Sequence, residues 1–145
     1  MKNKLIVIIS LLLSLNSFSQ QLKTSWEDLT DVKFEYKFLD EYGDNFLVPE
    51  FGESLKTYEG KKIQIKGYVL DLLEDSKSYL LSKQPMASCF FCGMAGPETI
   101  IELQFAEEQN LKTDMIVTIE GTFQLNEKDI NHCNYIMTDV IIIEN

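Results

Sequence analysis

Lys62-Ile63-Gln64-Ile65-Lys66-Gly67-Tyr68-Val69 alternates apolar and polar side chains, with Ile63, Ile65 and Val69 on one face. A period of two is the signature of a half-buried strand, and a glycine inside it suits a bend. Asp114 to Leu125 repeats the pattern: Met115, Val117, Ile119, Phe123 and Leu125 share a face, and Gly121 interrupts the run. Between them lie a short apolar segment, Ser78 to Ser82, and Thr99 to Phe105, which sets Ile101, Leu103 and Phe105 opposite Glu102 and Gln104. Ala106 to Thr113 is polar and helix-tolerant. Tyr135 to Ile143 closes the chain as a nearly continuous apolar run, the pattern of a strand buried on both faces. The order β-β-β-α-β-β predicts an all-β fold with short helices, a five-stranded OB-like Greek-key barrel. A β-sandwich is the alternative.

Upstream, Val32 to Phe38 alternates apolar and charged residues, and the face shared by Phe34, Tyr36 and Phe38 reads as core. Gly43-Asp44-Asn45 signals a turn. Pro49 to Tyr58 has apolar residues at 51, 55 and 58, the spacing of a short helix, which Gly60 stops. These segments form an N-terminal strand/helix extension, and polar residues 20–31, with Trp26, read as a loosely organised lead-in. Residues 1–19 have the features of a signal peptide: Lys2 and Lys4, the apolar run Leu5 to Leu13, and Ser17-Phe18-Ser19 before Gln20. That run is shorter than the roughly 20 residues of a membrane-spanning helix. No cysteine sits near the cleavage point, which argues against a lipid anchor. The expectation is a periplasmic or secreted protein with no stable membrane span, in which residues 20–145 form one barrel domain.

Without Lys2 and Lys4 the chain carries 11 basic against 23 acidic residues, a net charge of −12. Such a surface repels phosphate backbones, which excludes nucleic acid and anionic lipid as partners. It is otherwise a solvated acidic surface that aids solubility.

The chemistry concentrates in Ser88-Cys89-Phe90-Phe91-Cys92-Gly93-Met94-Ala95-Gly96-Pro97-Glu98 and in His132-Cys133, which hold all three cysteines and the only histidine. Two thiols three positions apart are half of a zinc site, and Cys89, Cys92 and His132 supply three ligands. Cys133, Glu98, a free aspartate or water would be the fourth. His132 and Cys133 can ligate together only in a loop, since neighbours in a strand face opposite ways. Thiolates with imidazole also suit copper(I) and poorly suit calcium or magnesium. In an oxidising compartment the same cysteines can instead form a disulfide. Thiol exchange is the third reading, although neither a helix start nor a βαβ pattern surrounds Cys89 and Cys92. Haem attachment fails because Gly93 stands where a histidine is needed. In the barrel, the third and fifth strands pair in parallel, so the loops before them, which carry the two clusters, should meet at one end.

Pro85 to Glu98, with its Cys-Phe-Phe-Cys-Gly run, preceded by Gly60 to Tyr68, resembles a family of small exported bacterial proteins of unknown function. It is also similar to a broader group of periplasmic proteins, some linked to metal-transport systems. There a cysteine and histidine lie close together before a proline run; here the histidine is remote and the prolines are absent. The resemblance implies an OB-like exported domain and suggests metal handling. The expected function is therefore binding of a transition metal, zinc before copper, through Cys89, Cys92 and His132 with Cys133 beside them, and no catalysis. The alternative is an interaction module, closed by a Cys89–Cys92 disulfide, for another exported protein or a small ligand.

Overall fold

The computed structural model describes residues 22–73 and 77–144; the leader expected at 1–19 lies outside them. The alternating segments form strands where their patterning places them. The strands are β1 (Leu22–Lys23), β2 (Val32–Leu39), β3 (Asp44–Phe51), β4 (Lys62–Leu70), β5 (Ser78–Ser82), β6 (Ile100–Gln104), β7 (Ile116–Leu125) and β8 (Tyr135–Glu144), of which β1 and β3 are not among those expected, with one helical turn, α1 (Glu53–Lys56). Strands β4, β5, β6, β8 and β7 are hydrogen-bonded in that order, and β7 returns to pair with β4. The sheet is thus closed, in the OB-like order expected. β6 and β8 run parallel, with Glu102 opposite Ile136 and Leu103 opposite Met137. No helix among the described residues is long and apolar enough to cross a membrane.

The inward residues of each strand make the core: Ile63 and Ile65 of β4, Leu81 of β5, Ile101 and Leu103 of β6, Ile119 and Phe123 of β7, Tyr135 and Met137 of β8. Each large apolar side chain so buried contributes about 1.5–3 kcal/mol. Both strand glycines sit where chains come close. A Cβ on Gly67 would lie 2.7 Å from the Ser82 carbonyl oxygen, and one on Gly121 would lie 2.9 Å from that of Thr138. Gly121 also faces a slip in the β7–β8 register, where Asp139 takes a positive φ of 52°. That is a β-bulge, the device by which small barrels turn a strand.

Several local expectations are corrected. Residues 20–31 are no loose lead-in where described: β1 pairs with β4, and a 3-10 turn over Trp26–Leu29 buries Trp26 and Leu29 in the core. The Trp26 indole donates to the Lys66 carbonyl at 2.8 Å. The helix expected from Pro49 shrinks to α1, because Asp44–Phe51 pairs along its full length with β2 as a hairpin. Only the hairpin's base reaches the core, so Tyr36 and Phe38, expected inside, are 77% and 58% exposed. Residues 106–113 form no helix but a loop, tied to β5 by the Tyr79 hydroxyl, which donates to the Gln109 carbonyl at 2.9 Å, and anchored by buried Leu111. The outer face of β8 is not covered either, and Ile141 is 57% exposed.

Candidate functional site

The loop between β5 and β6 folds on its own backbone in short turns. Pro85, fixed in an extended conformation, precedes a 3-10 turn over Met86–Ser88, and a second covers Phe90–Cys92. Gly93, at φ +72°, ends that run as only a residue free of Cβ does easily. Two hydrogen bonds set the loop on the barrel. The Asp114 carboxylate accepts from the Met86 N–H at 2.7 Å, and the Lys83 N–H donates to the Thr99 carbonyl at 3.0 Å. Cys89 is thereby driven into a small apolar cluster with Leu70, Leu80 and Ile100 on the barrel's outer face. Cys92, one turn on, is exposed and donates its thiol to the Met86 carbonyl at 3.0 Å. Glu98 sits half-buried in the turn Pro97–Thr99, its carboxylate folded back over Gly96.

The second cluster lies in the loop between β7 and β8, outside any strand. Asn126 organises that loop: its Nδ2 donates to the carbonyls of Asp129 and Cys133, and its Oδ1 accepts from the Asp129 N–H. His132 stays exposed while Cys133 is half-buried against the cluster that holds Cys89. Beneath them stands Glu102 of β6, only 6% exposed. Its Oε1 is 2.8 Å and its Oε2 3.0 Å from His132 Nδ1; the Cys133 N–H donates to Oε2 at 3.1 Å and Gln104 Nε2 to Oε1 at 2.9 Å.

The two clusters do meet at one end of the barrel, as parallel pairing of β6 with β8 requires. Phe91 and Pro97 from the cysteine loop share a groove of about 360 Å³ with Ile130, His132 and Cys133, and Glu102 contributes to its wall. Leu47 of the hairpin and Leu73 of the β4–β5 loop extend its apolar lining. Small five-stranded barrels place ligands on this same face, over the second and third strands and the flanking loops. The three thiols are free, and among the described residues no three histidine, cysteine, aspartate or glutamate side chains stand together as a ready-made ion cage. Cys89 and Cys92 are neighbours across one turn, the Cys92 N–H donating to the Cys89 carbonyl at 3.1 Å. His132 is hydrogen-bonded instead to Glu102.

No protein-family model matches this chain, and neither does any curated protein. What can be said of the site therefore rests on its own residues. Glu102 is the residue that sequence patterning alone passed over, as one more polar side chain on the outward face of a strand. The signal that finds it is topological: in a parallel pair of third and fifth strands, an outward side chain of the third lies under the loop that precedes the fifth.

The thiols differ in reactivity. Burial, and secondarily the charge of Glu102, push Cys133 up to about 12. Desolvation and then the neighbouring Cys89 thiol raise Cys92 more mildly. Since the thiolate is the reacting form and must also be reachable, short pulses of alkylating agent on the reduced native protein are expected to modify Cys92 first. Cys89 and Cys133 should follow only slowly. Peptide masses after each pulse give the order, and equal rates at all three would contradict the packing described.

Proposed function

We propose that this chain is an exported transition-metal-binding domain, with zinc as the ion and copper(I) as the chemically nearest alternative. In this reading the leader over residues 1–19 directs export, processing near Gln20 releases the chain to the periplasm or exterior, and the likeness to small exported proteins of unknown function is one of family. Cys89 and Cys92 supply the thiolates and His132 the imidazole, with Cys133 or water completing the set. The ion would neutralise the paired sulfurs and tie the cysteine loop to the loop before β8.

The observation that supports the reading is that the loop bearing Cys89 and Cys92 and the loop bearing His132 border one groove, with Cys133 packed against the cluster around Cys89 and the imidazole held by Glu102. Two adjoining thiolates repel each other unless a cation stands between them, and zinc's preference for sulfur and nitrogen matches the donors present. Because no ready cage exists among the described residues, coordination requires the Cys92 thiol to leave the Met86 carbonyl and the loop to close on His132. Thiol exchange is less well supported, since it depends on lowered thiol pKa values and those of Cys92 and Cys133 are raised.

Reduced protein is expected to bind about one zinc ion per chain, measured by titration in competition with a chromophoric chelator. Binding should weaken as pH falls, because protons compete for the ligating sulfurs and nitrogen. Absence of zinc uptake by fully reduced protein at neutral pH would refute the proposal. The apolar lining of the groove favours a second reading, in which a Cys89–Cys92 disulfide closes the loop and the groove receives an apolar part of a small ligand or exported protein.

A further inference from the structure

We infer that Glu102 is a positioning residue that makes His132 a ligand through Nε2. The inference rests on the metal reading above and adds to it the atom that ligates and the group that prepares it. Four hydrogen bonds converge on the Glu102 carboxylate: both oxygens lie within 3.0 Å of His132 Nδ1, and the Cys133 N–H and the Gln104 amide approach one oxygen each. The Cys133 N–H and the Gln104 amide both donate to this group, and an ionised carboxylate can only accept. The hydrogen between Glu102 and the ring therefore sits on Nδ1. In the neutral ring this leaves Nε2 with its lone pair, the form that binds a metal.

Two further features show that the contact is built rather than incidental. Glu102 is almost wholly buried, whereas His132 is exposed, so a fixed carboxylate holds a ring at the edge of the groove. The same carboxylate also binds the Cys133 backbone N–H, so one acidic group sets the position of both candidate ligands in that loop. Metal-bound histidines commonly have such a carboxylate on the second nitrogen, and its loss costs roughly 10–100-fold in affinity.

The chain's single histidine makes the test direct. In reduced, metal-free protein labelled with nitrogen-15, the ring of His132 is expected to be the Nδ1–H tautomer at a pH where it is neutral. Glu102→Gln, which keeps the shape and removes the charge, should shift the ring toward the Nε2–H form. The same variant should bind zinc roughly 10–100-fold more weakly than the parent protein. In a His132→Ala background, Glu102→Gln should cause a much smaller loss, because most of its effect passes through the ring and only the Cys133 N–H contact remains to be weakened. An Nε2–H tautomer in the parent protein would overturn the inference. So would unchanged zinc affinity in Glu102→Gln, or an equal loss with and without His132. Failure of the parent protein to bind zinc, with the tautomer as expected, would instead refute the metal reading and with it the ligand role of Nε2.

Discussion

Tyr135→Ala is expected to remove about 3–5 kcal/mol of stability, a large part of the 5–15 kcal/mol that separates a small folded domain from its unfolded chain. Tyr135 opens β8 and is fully buried. Its ring packs at 5.5 Å from Phe123 of β7 and 6.0 Å from Phe51 at the base of the hairpin, while its hydroxyl donates to the Leu29 carbonyl at 2.7 Å. One side chain thus joins the barrel, the hairpin and the segment before β2. Burial raises the Tyr135 hydroxyl pKa far above that of free tyrosine, so it remains the donor across the accessible pH range. Tyr135→Phe keeps the packing and strands only the Leu29 carbonyl, at a cost of about 1–3 kcal/mol. Urea unfolding midpoints rank the three proteins, and the phenylalanine variant remains informative if the alanine variant does not fold. A Tyr135→Phe protein as stable as the parent would contradict the role given to the hydroxyl.

Cys92→Ser is expected to abolish zinc binding, and Cys89→Ser to do the same with an added loss of stability. The two differ because Cys92 is exposed, whereas Cys89 is fully buried among Leu70, Leu80 and Ile100. A serine hydroxyl at position 89 would enter an apolar cluster, so Cys92→Ser is the cleaner measurement. His132→Ala should weaken binding by less than either. A water can take the place of imidazole, which supplies coordination alone, but nothing replaces the negative charge of a lost thiolate. Chelator competition with unfolding curves beside it separates lost ligation from lost fold. Zinc affinity unchanged in Cys92→Ser would contradict the assignment of the ligands.

The barrel was legible from the chain because its evidence is local and repeated. Alternation in Lys62–Val69 and Asp114–Leu125 named the strands, and Gly67 and Gly121 fell where strands approach too closely for a side chain. The N-terminal extension was misread where local pattern and tertiary pairing diverge. Positions 51, 55 and 58 fit a helix, yet hydrogen bonds from β2 claimed the chain through Phe51. Tyr36 and Phe38 alternate like core residues, but a two-stranded hairpin running beyond the barrel offers nothing to bury them. For the site, the convergence of the two cysteine-bearing loops followed from topology alone. The acidic residue under His132 carries no local mark, because Glu102 lies 30 residues away in sequence and only the parallel pairing of β6 with β8 brings it there.

The most direct test of the central claim is the intact mass and metal content of protein taken from its native compartment without a histidine tag. The expected result is a chain beginning near Gln20 with free thiols at positions 89 and 92 and about one zinc ion bound. A stable Cys89–Cys92 disulfide, seen as a mass two hydrogens lighter until reduction and accompanied by no metal, would contradict it.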